Sequence, residues 1–471
     1  MQQKKSITEG PIIRSILTLA IPIVMANILQ TAYQLIDTFW VGRLGAEAIA
    51  AVSLSFPIIF LMISLGGGIS IAAAVLVAQY KGKGDQETID RVSGQGVLMM
   101  VTISIILSAI GYLMSAPLMR MMGAEADVLP GAIAYLKFSF IGFTFVYGFF
   151  VFQSLLRGVG VVKTPMFIVL GTVILNLILD PLFIFGYGFI PAYGVAGAAL
   201  ATIGTQGIAA LIGLLMLCSG KYDVRLRLRY LKLDKGLLKR IFFLGLPSSA
   251  EQASRSLCLT FLAVLVASFG TKVIASYGIG TRALAFIIIP AVGISMATST
   301  VVGQNMGAGK IERAEKAARV SVVLSFIVLT LAGALLFIFA RQIAGFFIPG
   351  DIAVIGSSTL FIRIMALTFG FMGAQEVVNG VLRGSGNTLH AMVLAIISLW
   401  FIRFPLAYVL SKHTILIEKG IWWAFPISNI LSALIAFGWF LKGSWKEKRL
   451  TEKTMIQDEV LVETIADDTM Q

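Results

Sequence analysis

Charge is scarce in this sequence. Asp, Glu, Lys and Arg make up 13% of its 471 residues, against about 25% in soluble domains. With 58% hydrophobic residues and a mean hydropathy of +0.91, a soluble globular class is excluded. Histidine is nearly missing. His390 and His413 have no nucleophile or metal-ligating neighbour in sequence, so no catalytic constellation is expected. The two cysteines, Cys218 and Cys258, have neither disulfide nor metal spacing and read as small apolar helix residues. The first apolar segment is full length, with no small-residue cleavage site after a short core, so no removable leader is read.

What remains is long apolar runs. About 20 apolar residues span a bilayer, and twelve such segments are expected: 14–40, 50–80, 92–115, 130–156, 163–187, 194–219, 240–268, 275–305, 316–341, 355–382, 388–411 and 420–442. An even number puts both termini on one side. Lys and Arg choose the side. One set of connections holds Lys4, Lys5 and Arg14; Lys81, Lys83 and Arg91; Arg157 and Lys163; eight more between Lys221 and Arg240; Lys310, Arg313, Lys316 and Arg319; Arg383; and a basic stretch from Lys442 to Lys453. The opposite set holds only Arg43, Arg120, Lys272, Arg341, Lys412 and Lys419. The positive-inside rule makes the rich set cytoplasmic. It also accounts for the net charge of +13 without nucleic acid. The expectation is a multi-pass protein of the cell (inner) membrane with both termini cytoplasmic.

The chain contains itself twice. VAQYKGKGDQETID from Val77 aligns with VGQNMGAGKIERAE from Val302, pairing Gln79 with Gln304, Gly82 with Gly307 and Gly84 with Gly309. The same offset of 225 pairs Pro22 with Pro247 and Gly45 with Gly270; LLRGVG at Leu155 meets VLRGSG at Val381, pairing Arg157 with Arg383. The expected architecture is all-α: an amino-terminal lobe of six helices (1–219), a basic cytoplasmic linker (220–239), a carboxy-terminal lobe of six (240–445) and an acidic cytoplasmic tail (446–471). Parallel repeats of this kind bind substrate between the halves and expose it to each side in turn. No strand precedes the Gly-x-Gly turns, so they are not phosphate loops.

Four acids fall inside spans: Asp37, Asp180, Glu251 and Glu376. A carboxylate in hydrocarbon needs a partner or a wet cavity. At 1.5 Å per residue, Asp180 lies about 25 Å up its helix, at a depth where Asp37 can meet it. Asn176 precedes Asp180 by one turn, on the same face. Thr202 on the next helix can add a hydroxyl. The set can hold a proton, because two close buried carboxylates raise a pKa, or it can form an oxygen cage for Na⁺. The alternative for Asp180 is local: it can satisfy amides freed by Pro181. Asn27, Gln30 and Gln34 lead to Asp37 along one helix face, with Tyr33 beside them, and read as a cavity wall or as interhelical glue. Glu251 and Arg255 are one turn apart and read either as a local ion pair or as a second coupling site. Glu376 is expected near the cytoplasmic interface. The aromatic stretch FTFVYGFFVFQ, with Phe149, Phe152 and Gln153, suits loose recognition of flat hydrophobic cations.

The two six-helix halves, the paired Gln-x-x-Gly-x-Gly turns, the paired Leu-Arg-Gly-x-Gly turns, YQLIDTFWVGRLG and LNLILDPLFIFGYG together resemble the MATE (multidrug and toxic compound extrusion) family, over about residues 10–445. The resemblance implies an antiporter, not an enzyme. It would export small amphipathic, often cationic compounds across the bilayer in exchange for H⁺ or Na⁺, without a cofactor, and a monomer is expected. It carries Asp37, Asn176, Asp180 and, less directly, Thr202 onto the amino-lobe cation site, and Glu251 onto the carboxy-lobe glutamate of NorM-like members. One departure stands out. NorM-like members have an aspartate eleven residues before the Leu-Arg-Gly arginine, where this chain has Met372. Its paired acids therefore lie in the amino lobe, as in DinF-like members. The competing readings are a lipid-linked precursor flippase of the related superfamily, which calls for a cationic cavity and further helices, and a narrow-specificity metabolite exporter.

Overall fold

The computed structural model describes residues 7–188, 190–447 and 450–451. Lys4, Lys5, Lys448, Arg449, Lys453 and most of the acidic tail lie outside the described residues. In hydrocarbon each backbone N–H and C=O must be satisfied within its own segment, and the chain answers with helices: α1 (Ile12–Gly42), α2 (Ala46–Lys83), α3 (Gln86–Met121), α4 (Leu129–Gly158), α5 (Lys163–Phe185) and α6 (Val195–Ser219), then α7 (Lys235–Ala267), α8 (Thr271–Gly307), α9 (Ile311–Ile338), α10 (Ala340–Phe347), α11 (Ile352–Ala366), α12 (Phe369–Gly384), α13 (Thr388–Ile396), α14 (Phe404–Lys412) and α15 (Glu418–Lys442).

Eleven of the described helical segments are long and apolar enough to span a membrane, twelve if the bent pair α11 and α12 is one span. Two expected spans are not plain helices. The tenth breaks at Leu367–Thr368 and turns by 53°. The eleventh winds into a wider π-turn over Ile397–Arg403 between α13 and α14. The short amphipathic α10 is an element the apolar runs did not separate from the ninth span. Asp85, Asp234 and Asp351 cap α3, α7 and α11 by accepting from the amides of Thr88, Leu237 and Val354, satisfying donors that a helix start leaves free.

The repeat holds at the level of backbone. Gly45 and Gly270 both precede their helices at positive φ (114° and 98°), and Gly84 and Gly309 both end turns at 79° and 72°. Side chains disfavour these conformations. Packing also repeats. Within the first half α1 lies on α5 and α2 on α3 and α4; in the second, α7 lies on α13 and α8 on α9, α11 and α12. Between halves, α1 packs on α8 and α7 on α2. Accordingly Ile16, Leu19 and Ile23 of α1 are buried in the core of the second half, and Ile241 and Leu244 of α7 in the core of the first.

The two halves cross most closely at the end that carries the linker. A methyl added at Gly82 would sit 1.8 Å from the Gln304 carbonyl oxygen, and one at Gly307 would sit 1.8 Å from that of Gln79. Gln79 Nε2 donates to the Gly384 carbonyl at 3.0 Å, and Gln304 Nε2 donates to the Gly158 carbonyl at 2.8 Å. The paired motifs are thus two halves of one clasp, and their glycines let helix backbones touch. Gly82→Ala and Gly307→Ala are each expected to destabilise the closed seam by about 1–3 kcal/mol, the usual cost of overpacking. This is read as a lower thermal unfolding midpoint in detergent. Gly67→Ala, with open space around its Cβ, should leave the midpoint unchanged or raise it.

Candidate cation site

In the first half, α1, α5 and α6 bring three oxygen-rich positions together. Asn176 and Asp180 are both fully buried on α5, where their spacing of four aligns them. Asn176 Nδ2 donates to Asp180 Oδ1 at 2.7 Å. On α1, Asp37 is half-buried and within electrostatic reach of Asp180. Tyr33, one turn before Asp37, is buried; its hydroxyl donates to Thr202 Oγ1 at 3.1 Å and shares a 2.7 Å hydrogen bond with Thr205 Oγ1. Thr205 in turn donates to the Thr202 carbonyl at 3.1 Å.

What is left over at this site matters most. Asp37 Oδ1, Asn176 Oδ1 and Asp180 Oδ2 are buried, and none has a hydrogen-bond partner among the described residues. Buried polar atoms are nearly always paired, and an unpaired one costs about 1–3 kcal/mol, more when charged. Three unsatisfied oxygens around two carboxylates make a place where a proton or a hard monovalent cation would be stabilised. The local alternative for Asp180 has less support, because its bond to a side chain leaves Oδ2 with no partner.

Tyr33, expected on a cavity wall, is buried, and its hydroxyl ties α1 to α6 beside the carboxylates. Thr205 was missed, although it lies three residues from Thr202 on the same α6 face. Tyr135 of α4 was also missed; it is buried near Asp37, Tyr33 and Asp180, and nothing in its sequence surroundings marks it. Asn27 and Gln30 are half-buried and Gln34 is exposed, with no side-chain hydrogen bonds among the described residues. The expectation that Phe149 and Phe152 line a cavity is corrected. Both are buried and stack on each other with centroids 5.9 Å apart. Gly213 of α6 makes room for the Phe152 ring, so these aromatics fill the core. Gln153 beside them is half-buried.

The second half handles its acids differently. Arg255 Nη2 donates to Glu251 Oε1 at 3.0 Å and to Glu376 Oε2 at 2.7 Å. Arg383 Nη2 donates to Glu376 Oε1 at 2.7 Å and lies 3.6 Å from Glu251 Oε1. The result is a closed ring of alternating charge. Glu376, expected near the cytoplasmic interface, is 8% exposed and bridges both arginines. It stands one turn beyond Met372, so a carboxylate does return to this helix, already paired. Arg157 lies across the seam. With Arg383, Ser295, Ser299 and Thr300 it lines a cavity of about 20 Å³, room for about one water.

The two sets should respond oppositely to neutralisation. Glu376→Ala leaves two guanidinium groups short of a partner and should lower stability by about 3–5 kcal/mol. Asp180→Asn keeps the bond from Asn176 and removes an unpaired charge, so its thermal midpoint should equal or exceed the unaltered protein's. Thermal unfolding of both variants in detergent checks the contrast.

The sequence profile of the MatE family matches residues 22–182 and again 247–409, two copies offset by the same 225 residues at their start. The chain is 30% identical to a probable multidrug resistance protein, YoeA, of Bacillus subtilis, covering 95% of this chain and 97% of that protein. It is 29% identical to the probable multidrug resistance protein NorM of Thermotoga maritima, covering 96% and 97%. Its fold superposes, with a TM-score of 0.88 and 26% identity, on a multidrug resistance MATE family transporter of the MOP superfamily solved in an outward-facing conformation, over 94% of this chain and all of that one. A multi-pass bundle of apolar helices with this repeat and these relatives belongs to the MatE family of multidrug transporters, and it is a transporter, not an enzyme.

Proposed function

We propose that this protein is a secondary antiporter that exports small amphipathic, often cationic compounds in exchange for H⁺ or Na⁺, with Asp37, Asn176, Asp180 and Thr202 as the seat of the driving ion. The observation that carries this reading is the set of three buried, unpartnered oxygens on Asp37, Asn176 and Asp180. In the carboxy-terminal half, Arg255 and Arg383 already neutralise Glu251 and Glu376. A tethered guanidinium cannot be exchanged across a membrane, so this ring serves packing, and coupling belongs to the amino-terminal half.

On this reading the lobes are residues 1–219 and 240–445, joined by the basic linker 220–239, and both termini face the cytoplasm. The seam at the linker end is then the cytoplasmic gate, held shut by the Gln79 and Gln304 clasp. The substrate path opens toward the opposite face, with Asn27, Gln30 and Gln34 along α1 free to meet water or substrate. When the ion neutralises Asp37 and Asp180, the cost of drying that site falls. Tyr33 joins α1 to α6 through Thr202 and Thr205, so the state of the carboxylates is felt by the helix that packs against the other lobe.

Ethidium transport into everted vesicles, driven separately by an imposed pH gradient and by an imposed Na⁺ gradient, tests this. Transport is expected with one or both gradients and is expected to vanish in Asp37→Asn and in Asp180→Asn while both proteins stay folded. Glu251→Gln should retain most of it. Gradient-driven transport in both aspartate variants would remove the coupling role.

A further inference from the structure

Leu450 is buried to 2% exposure within the core of the amino-terminal half, although it follows the last helix of the other half. Its amide donates to Gln79 Oε1 at 3.0 Å. Its carbonyl accepts from Arg240 Nη2 and, at 3.5 Å, from the Tyr80 hydroxyl. Arg240 Nη1 also donates to Tyr80 at 3.0 Å, and Lys83 Nζ donates to the Thr451 carbonyl at 3.0 Å. The Leu450 side chain occupies the space over Gly386, where a methyl would approach it to 2.8 Å. One residue thus touches α2, α7 and the turn between α12 and α13. Upstream, Lys446 is anchored to the second half by an ion pair with Glu315 at 2.8 Å, and Trp445 is buried there.

Gln79 is the pivot. Its amide nitrogen crosses the seam to Gly384, and its amide oxygen takes the Leu450 amide. The tail therefore completes the hydrogen bonding of a side chain that holds the two halves together. The segment before α1 makes the mirror contact: Ile7 packs against Gly160, the repeat counterpart of Gly386, and Lys310, just before α9, and Arg313 within it hold the carbonyls of Thr8 and Gly10. Each end of the chain crosses to the opposite half.

We propose that the carboxy-terminal segment is a latch on the cytoplasmic gate, with Leu450 docked between Gln79, Tyr80, Arg240 and Gly386 whenever the gate is shut and released each time it opens. This rests on the reading of the seam as a gate. Docking stabilises the closed state alone, so it lowers the fraction of molecules open to the cytoplasm and slows substrate loading.

The test uses the full chain with Cys218→Ser, which removes the exposed thiol, and Ser299→Cys in the seam cavity. A membrane-impermeant maleimide added to inside-out vesicles labels this cysteine when the gate opens. Ending the chain after Glu447 should speed labelling by about fivefold or more, the lower range of a coupling between sites, and Leu450→Asp should do the same. Ending it after Thr451 should leave the rate unchanged, and a peptide EKRLTEKTMI added to the shorter protein should slow labelling again. Gly82→Ala, which wedges the seam, is the control. Faster labelling in Gly82→Ala with no change in the Leu450 variants overturns the latch. No change even in Gly82→Ala overturns the gate reading beneath it.

Discussion

Each of the four carboxylates inside the helical bundle has to be neutralised where it stands, because hydrocarbon offers no water to do it. The two halves meet this requirement in different ways. In the second half two arginines close a ring with Glu251 and Glu376. In the first half no cation among the described residues pairs with Asp37 or Asp180; a neighbouring amide and a hydroxyl pair leave three oxygens open. The two halves thus hold a saturated set of charges and an unsaturated one. Only an unsaturated site can take up and give back an ion, which is what an exchange cycle needs.

The second dependence is on backbone approach. Gly82 and Gly307 let α2 and α8 meet so closely that each glycine's missing Cβ is the space taken by a carbonyl of the other half. Polar side chains then cross: Gln79 to Gly384, Gln304 to Gly158. At this end the seam adds directional hydrogen bonds to the apolar packing of α1 and α7 into the opposite halves. It can be strong when aligned and lost together when α2 and α8 move apart, the behaviour of a bistable interface.

Much of this was legible in the sequence because hydrophobic length and repetition are local properties. The span limits, the repeat pairs and the spacing of Asn176 and Asp180 all follow from counting. The bend between α11 and α12 was not legible: Leu367–Thr368 contains neither Pro nor Gly, and the break depends on what those helices pack against. Phe149 and Phe152 misled because an aromatic stripe reads the same whether it lines a cavity or fills a core; Gly213, on another helix, decides it. Glu376 was placed by its distance from the membrane edge, yet its environment is set by Arg255, 121 residues earlier. Thr205 could have been found by extending the α6 face from Thr202 by three residues. Leu450 could not, since it sits in a charged stretch and its burial depends on α2 of the opposite half as well as on α7 and the turn at Gly386.

On the proposed function, the exchangeable charge belongs to Asp37 and Asp180 and not to the Glu251 and Glu376 ring. Infrared difference spectroscopy of the purified protein, following the carboxylic-acid carbonyl band as pH is raised or Na⁺ is added, tests it most directly. A band change is expected that is lost in Asp180→Asn and in Asp37→Asn and kept in Glu251→Gln. A change that survives both aspartate variants and disappears in Glu251→Gln would contradict it and move the exchange site to the other half of the molecule.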